Sequence, residues 1–214
     1  MHAAEPHRPG LVARWQHHRR QGWLPLGYRT LRRILDRRPL VAWLDFSVHQ
    51  IIAVAPWRLR LPERLARGIT VRELGPGDGE ALNRLRAPAG LGYGERFARS
   101  HRCIGAWLEQ RLVAFMWLRC GPAQLPSAFG CTWQLTAPMA WLYDLYSDPR
   151  LLGAVPHLYA HLRRHPPGET LQHFVGQTDY DNLRSRLAHR SLGYEARALL
   201  LSWRMGRWHA HASR

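Results

Sequence analysis

The sequence contains no lysine, only two asparagines and only three cysteines. All 31 basic residues are therefore arginines, and we attribute this bias mainly to genomic codon usage. Arginine content alone is for that reason weak evidence for nucleic-acid binding. Cys103, Cys120 and Cys131 follow neither a metal-ligand spacing nor the pattern of a disulfide framework, so we interpret them as reduced thiols in a cytoplasmic protein.

Long apolar runs are also missing. The best candidate for a membrane span, residues 39–57, contains Asp45, His49 and Gln50, which argues against a span. The first ten residues, MHAAEPHRPG, lack the apolar core of a secretory signal. Because 46% of the 214 residues are hydrophobic, the chain has enough apolar mass for one core. We therefore expect a cytoplasmic protein.

The formal net charge is +16 and is unevenly distributed. Residues 1–68 contain 13 arginines against 4 acidic residues, and the remainder contains 18 against 11. Such a basic N-terminal extension suits an anionic partner, namely a membrane surface, a nucleic acid or an acidic protein; a solvated, codon-biased surface is an equal alternative. Tyr28–Arg38 predicts a short basic amphipathic helix, for which docking on its own domain is favoured over a peripheral position on lipid.

The hydrophobic pattern divides the chain into two units. Residues 1–68 predict an arm, the short helix, a strand at residues 40–48 and a linker with a helical turn. Residues 69–208 predict the order β-α-β-β-β-α-β-α-β, which is a mixed α/β sheet. Residues 87–94 and 121–139 are rich in Gly or Pro and predict loops.

The segment Tyr143–Arg164 predicts an apolar strand, a compact loop and a helix. The unpaired amides in the first turn of a helix bind anions, and the helix dipole adds a partial positive charge. Gly153 would let a phosphate approach the backbone, and Arg150 would add a charged contact. Pro156 suits the first turn, where its missing N–H is not needed.

Two motifs, WLYDLYSDPRLLGAVPHLYAHL and DYDNLRSRLAHRSLGYEARALL, resemble the Gcn5-related N-acetyltransferase superfamily when they are combined with the element order. The resemblance covers residues 69–208. It implies an α/β fold with a mixed, mostly antiparallel central sheet flanked by helices. It further implies an acyl-coenzyme A-dependent N-acyltransferase, with acetyl-coenzyme A as the acyl donor and without a metal.

The resemblance also implies where the donor binds. A pyrophosphate loop would run from Arg150 to Val155, with Val155 at a position where glycine or alanine is usual. A backbone N–H of the preceding strand would stabilise the thioester oxygen, and Asn182 would bind the pantetheine arm or cap its helix. The implied donor-binding residues are Leu145, Tyr146, Ser147, Arg150, Gly153, Ala154, Val155 and Asn182.

Two residues are candidates for proton transfer. Asp144 lies on the central strand among apolar and aromatic neighbours, where burial would raise its pKa and suit a general base; pairing with an arginine or exposure to solvent is the alternative. His189 stands where the superfamily has a tyrosine that protonates the departing thiolate, and the alternative is simple packing beside Gly193. His101 and Glu109 are weaker candidates for the base.

We expect a small amine or amino sugar as the acceptor. Its pocket would be formed by residues 87–102 and 121–139, with Trp133, Trp141 and Tyr143 available for stacking. Two alternatives stay open: a non-catalytic binding or partner module on this fold, and a protein- or RNA-directed acetyltransferase guided by the basic extension. A homodimer is also left open.

Overall fold

The computed structural model describes residues 27, 30–31, 44–88, 92–126, 132–205 and 208–213. The predicted arm and most of the predicted helix Tyr28–Arg38 lie outside these residues. Within the described part of the chain, no helix combines the length and apolar character needed to cross a membrane.

The described elements are ten strands and four α-helices. The strands are β1 (Leu44–Val54), β2 (Ile69–Leu74), β3 (Arg102–Leu108), β4 (Arg111–Cys120), β5 (Ala123–Pro126), β6 (Thr132–Leu135), β7 (Met139–Ser147), β8 (His173–Asp179), β9 (Glu195–Met205) and β10 (Trp208–Ser213). The helices are α1 (Gly79–Leu85), α2 (Tyr93–Ala98), α3 (Val155–Arg164) and α4 (Leu183–Ser191).

Eight strands form one sheet in the order β10-β9-β1-β8-β7-β4-β3-β2, and β5 and β6 form a separate hairpin. The pair β7–β8 is parallel, and every other strand pair in the described residues is antiparallel. The prediction of a mixed, mostly antiparallel sheet flanked by helices is therefore confirmed.

Strand β1 lies in the middle of this sheet. It is antiparallel to β8 on one side and to β9 on the other, so that Ile52 is opposite both Gly176 and Ala196. The run Ile51–Ala55 is buried, as is typical of a central strand covered on both faces. The sequence placed this strand in the N-terminal extension, but the sheet continues across the predicted boundary at residue 69.

The two faces of the sheet carry different helices. In β4, Met116 packs into the core beneath α3, while the adjacent Phe115 and Trp117 pack into the core beneath α1 and α2, because side chains alternate along a strand. Helix α3 contributes Leu158 and Leu162, which are one turn apart and fully buried. Burying one such side chain stabilises the fold by roughly 1.5–3 kcal/mol.

The segment 55–68 connects β1 to β2 across the α3 face. It begins with the 3₁₀ turn Pro56–Arg58, and the Arg60 amide donates a hydrogen bond to the Leu192 carbonyl at 3.0 Å. Its later residue Ala66 lies beside Gly153, since a Cβ on that glycine would be 3.6 Å from the Ala66 Cβ. The segment therefore passes the end of α4 and then the start of α3.

Two predicted loops contain regular structure. Helix α2 forms from Tyr93, inside the region predicted as a Gly/Pro loop, because Tyr93 and Arg96 have buried sites on the sheet. Strands β5 and β6 lie within residues 121–139, and Pro126 ends β5 at the edge of a two-stranded ribbon, a position that proline tolerates.

Candidate active site

A cleft opens where two neighbouring strands separate. Strands β7 and β8 pair from Met139 opposite His173 to Leu142 opposite Gly176, and then diverge, although β7 continues to Ser147 and β8 to Asp179. A cavity of about 550 Å³ occupies this gap. Its walls include β7, β8, α4 and single residues from α3 and from the turn after α1.

A β-bulge in β7 accompanies the separation. Tyr143 is opposite Trp117, and Tyr146 is opposite Phe115. Two residues of β7, Asp144 and Leu145, therefore face the single residue Met116 of β4. Asp144 has φ 46°, a conformation that aspartate adopts more readily than most residues. Because a bulge bends its strand and increases the local twist, it directs β7 away from β8. Leu145 lies on the wall of the cleft, as the resemblance implied.

Asp144 is held by two arginines. Its Oδ1 accepts a hydrogen bond from Arg86 at 3.1 Å, and its Oδ2 accepts one from Arg96 at 2.6 Å. The side chains of Asp144 and Arg96 are only 8% and 4% exposed. A carboxylate bound by two guanidinium groups is poorly placed to take a proton, so these contacts support the alternative of arginine pairing and argue against the role of general base.

His189 faces the cleft, but its hydrogen bond makes the free ring nitrogen a proton acceptor rather than the predicted proton donor. Its Nδ1 is 2.8 Å from the carbonyl oxygen of Ser185, so Nδ1 must carry the proton and Nε2 is left as an acceptor. Burial lowers the pKa of His189, and the bond to Ser185 offsets this only in part. His189 is thus a neutral imidazole at pH 7 and is better suited to accept a proton than to donate one.

Asn182 caps helix α4. Its Oδ1 accepts a hydrogen bond from the Ser185 amide at 3.1 Å, which is the local role that the sequence left open. Asn182 also lies on the wall of the cleft. Its amide NH₂ group still has donors for a ligand, and a bond to a pantetheine arm stays a prediction.

The described part of the predicted pyrophosphate loop does not reach the cleft: Arg150, Leu151 and residues 153–155 do not line it. The Arg150 amide donates to the Asp148 carboxylate at 2.9 Å, and the Ala154 amide donates to the Leu151 carbonyl at 3.0 Å. Ala154 is buried, and Val155 packs against the main core. The Arg150 and Ala154 amides are thus engaged within the loop, whereas Gly153 is exposed, with Ala66 at van der Waals distance from a Cβ placed there.

The other strand residues assigned to the donor also lie away from the cleft. Tyr146 packs against Phe115, and the Ser147 hydroxyl donates to nearby backbone carbonyl groups. Neither lines the cleft.

Tyr159, Thr178 and Tyr194 are among the cleft residues that were not assigned a role from the sequence. The rings of Tyr159 and Tyr194 meet edge to face at 6.1 Å, and burial raises the pKa of Tyr159 to about 12 and that of Tyr194 well above its usual value. Both are therefore protonated phenols at neutral pH. Among the described residues, the Thr178 Oγ1 is buried without a hydrogen-bond partner, whereas the Tyr194 hydroxyl interacts with that of Tyr159. Since buried polar groups are usually hydrogen-bonded, the Thr178 hydroxyl points to a ligand in the cleft.

The predicted acceptor residues are only partly in the cleft. Trp141 and Tyr143 line it, the Trp133 side chain lies outside the described part, and no described residue of 87–102 or 121–139 is on its wall. The Tyr143 hydroxyl is bonded to the ring of His101, whose pKa is lowered by burial and by Arg119. Glu109 lies in the turn between β3 and β4, away from the cleft.

Solved structures share this architecture. A GCN5-related N-acetyltransferase from Kribbella flavida superposes with a TM-score of 0.52 at 17% identity, over 78% of this chain and 61% of the other. A conserved protein of unknown function from Staphylococcus epidermidis gives 0.52 at 10% identity, over 75% and 61%. This chain has the GCN5-related N-acetyltransferase fold.

A Drosophila protein is also similar, with a TM-score of 0.50 at 14% identity, over 76% of this chain and 52% of the other. The chain thus spans 61%, 61% and 52% of the lengths of these three structures. No protein-family model matches the sequence, and no match was found among the curated proteins.

Proposed function

We propose that the protein transfers an acyl group from a thioester to a small amine. The observation that carries this proposal is the cleft between β7 and β8, whose wall holds a buried threonine hydroxyl without a partner among the described residues and the paired phenols of Tyr159 and Tyr194. The fold supports it, because the likeness to a GCN5-related N-acetyltransferase places this cleft in the same type of sheet.

In the proposed step, the lone pair of the neutral amine attacks the thioester carbonyl carbon. The new C–N bond forms, the C–S bond breaks, the amine nitrogen loses a proton and the thiolate gains one. The carbonyl oxygen becomes negative in the transition state and needs a donor. Pairing of β7 with β8 ends at Leu142, so the backbone of Leu145 at the bulge is placed to donate from the cleft wall.

We propose Tyr194 as the proton donor to the thiolate. Its phenol stays protonated at neutral pH, its hydroxyl lies beside that of Tyr159 on the cleft wall, and its ring meets the His189 ring edge to face at 5.1 Å. His189 then has a different role from the predicted one: its Nε2 can accept a hydrogen bond from a ligand or relay a proton.

The donor would be acyl-coenzyme A, with acetyl-coenzyme A as the first one to test. The cleft fits the thioester and pantetheine end, since Asn182 and Thr178 offer polar groups there. At the start of α3, the Arg150 and Ala154 amides are already engaged and would not bind the pyrophosphate without rearrangement. We therefore propose that pantetheine contacts dominate donor binding, and that acetyl-pantetheine has a kcat/KM within about tenfold of that of acetyl-coenzyme A.

The test is acetyl transfer to a panel of primary amines, measured by thiol release. Tyr194→Phe should lower kcat by about 10²-fold with little change in the KM for the donor, because it removes a proton donor but keeps the ring. Tyr180→Phe is the matched control, since Tyr180 does not line the cleft. Equal kcat values for Tyr194→Phe and the wild type would remove the assignment.

A second candidate, a non-catalytic binding module, is favoured by the same engaged amides at the start of α3. The two candidates differ in how they respond to acetyl-coenzyme A. Binding raises the free energy of unfolding by RT ln(1 + [L]/Kd) and thereby the melting temperature. Millimolar acetyl-coenzyme A should therefore give a clear shift in melting temperature if the dissociation constant is tens of micromolar. The absence of any shift, together with the absence of thiol release, would favour the binding module.

A further inference from the structure

Two guanidinium groups share the carboxylate of Asp144 beside the cleft. One carboxylate is paired with two guanidinium groups, and all three come together beneath α1 and α2. Arg96 is buried, with its guanidinium over the rings of Trp117 and Tyr143 at 5.2 and 5.4 Å. Ionic interactions in such a low-dielectric site are stronger than they would be in water.

Arg86 is the member of the cluster that meets the cleft. It is 36% exposed, whereas Arg96 is 4% exposed, and it lies on the cavity wall. Its Nη1 holds Asp144, and its position over the Tyr146 ring at 5.1 Å fixes the guanidinium plane. The remaining N–H groups of a guanidinium match the two oxygens of a carboxylate.

The opposite wall of the cleft carries a negative group. Asp179, at the end of β8, is 46% exposed and lies 2.9 Å from His49 of the central strand β1. Its carboxylate is placed to attract the ammonium form of an incoming amine. A ligand with a cationic nitrogen and a carboxylate would therefore lie across the cleft, with the nitrogen towards β8 and the carboxylate towards Arg86.

A second, apolar groove adjoins the cleft at Trp141. Its volume is about 390 Å³, and it shares Trp141 with the cleft. Its wall is mainly aliphatic and aromatic, from Ile51, Ala53, Leu135, Met139, Trp141 and Val175. A ligand held at Arg86 would therefore gain from an apolar group that extends past Trp141.

We propose that the acceptor is an α-amino acid with an apolar side chain. Its carboxylate pairs with Arg86, its amine lies at the opening between β7 and β8, and its side chain enters the groove beyond Trp141. This inference rests on the proposed acyl transfer, of which it names the substrate class.

The kinetic test compares three acceptors with acetyl-coenzyme A as donor. L-Phenylalanine should exceed both 2-phenylethylamine, which lacks the carboxylate, and glycine, which lacks the apolar group, by about ten- to hundredfold in kcat/KM. Arg86→Gln should remove the advantage of phenylalanine over 2-phenylethylamine. Arg84→Gln is the matched control, because Arg84 lies two residues before Arg86 in the last turn of α1, is 73% exposed and does not line the cleft.

A binding test does not depend on turnover. By calorimetry, the wild type and Arg84→Gln should bind N-acetyl-L-phenylalanine at least tenfold more tightly than N-acetyl-2-phenylethylamine, and Arg86→Gln should bind both equally. If this pattern appears without acyl transfer, the amino-acid site stands and the proposed reaction fails. If the neutral amide binds as well as the acid, or if neither binds, the amino-acid proposal is overturned.

Discussion

Replacing Asp144 with asparagine separates a structural role from a catalytic one. Asparagine has nearly the same shape and also tolerates a positive φ, so the bulge at φ 46° need not change. The substitution removes the negative charge between Arg86 and Arg96 and leaves two positive groups facing each other. Arg96, which is only 4% exposed, then loses its carboxylate partner.

The expected cost follows from this burial. Removing one partner of a buried ion pair destabilises a protein by about 3–5 kcal/mol, and the amide oxygen of asparagine keeps one hydrogen bond, so we expect a loss of about 3 kcal/mol. Urea unfolding of Asp144→Asn and the wild type measures it as a shift in midpoint at constant slope. Glu80→Gln is the control, because the exposed Glu80–Arg84 pair should contribute less than about 1 kcal/mol.

A double variant sharpens this test. Asp144→Leu with Arg96→Met removes both buried charges, so it should be less destabilised than the sum of the single variants. A loss below about 1 kcal/mol for Asp144→Asn, combined with a large fall in kcat, would contradict the structural role and restore Asp144 as a general base.

Two further predictions concern Gly193 and His189. Gly193→Ala should destabilise the fold by about 1–3 kcal/mol in urea unfolding. The reason is that Gly193 has φ 93° and that the new Cβ would lie 2.7 Å from the Arg58 carbonyl oxygen. An unchanged unfolding midpoint would contradict the close contact. Burial lowers the pKa of His189 below 6.5, so the unfolded chain binds its proton at a higher pH than the folded chain does. The free energy of unfolding should therefore fall as the pH drops through about 6.5, and His189→Gln should flatten this dependence between pH 7.5 and 5.5. An identical slope in both proteins would show that His189 is solvated.

Local patterns predicted most of the fold. The strand at Ile69–Leu74 and the hairpin of β3 and β4 follow from residue type and turn spacing, and they belong to the predicted order of elements. Helix α2 was missed because its six residues are too few to show a period, and its stability comes from the buried Tyr93 and Arg96 rather than from helix propensity. Its position is thus a tertiary effect.

The sequence predicted less of the candidate site than of the fold. The cap at Asn182 follows from a local rule and was among the predicted alternatives. The Asp144 ion pairs join residues 58 and 48 positions apart, so they depend on how α1 and α2 pack on the sheet. The tautomer of His189 depends on a backbone carbonyl one turn earlier, which a sequence pattern does not orient.

The central position of β1 links these observations. Periodicity identifies a strand at this point of the sequence but not its neighbours, and a basic N-terminal region suggests an appendage rather than a core element. Once β1 pairs with both β8 and β9, the segment 55–68 must cross the α3 face to reach β2 at the far edge. That crossing brings Ala66 against Gly153, next to amides that already have partners. The same strand places His49 beside Asp179 at the cleft. The position of β1 thus brings residues of the N-terminal region both to the start of α3 and to Asp179 in the cleft.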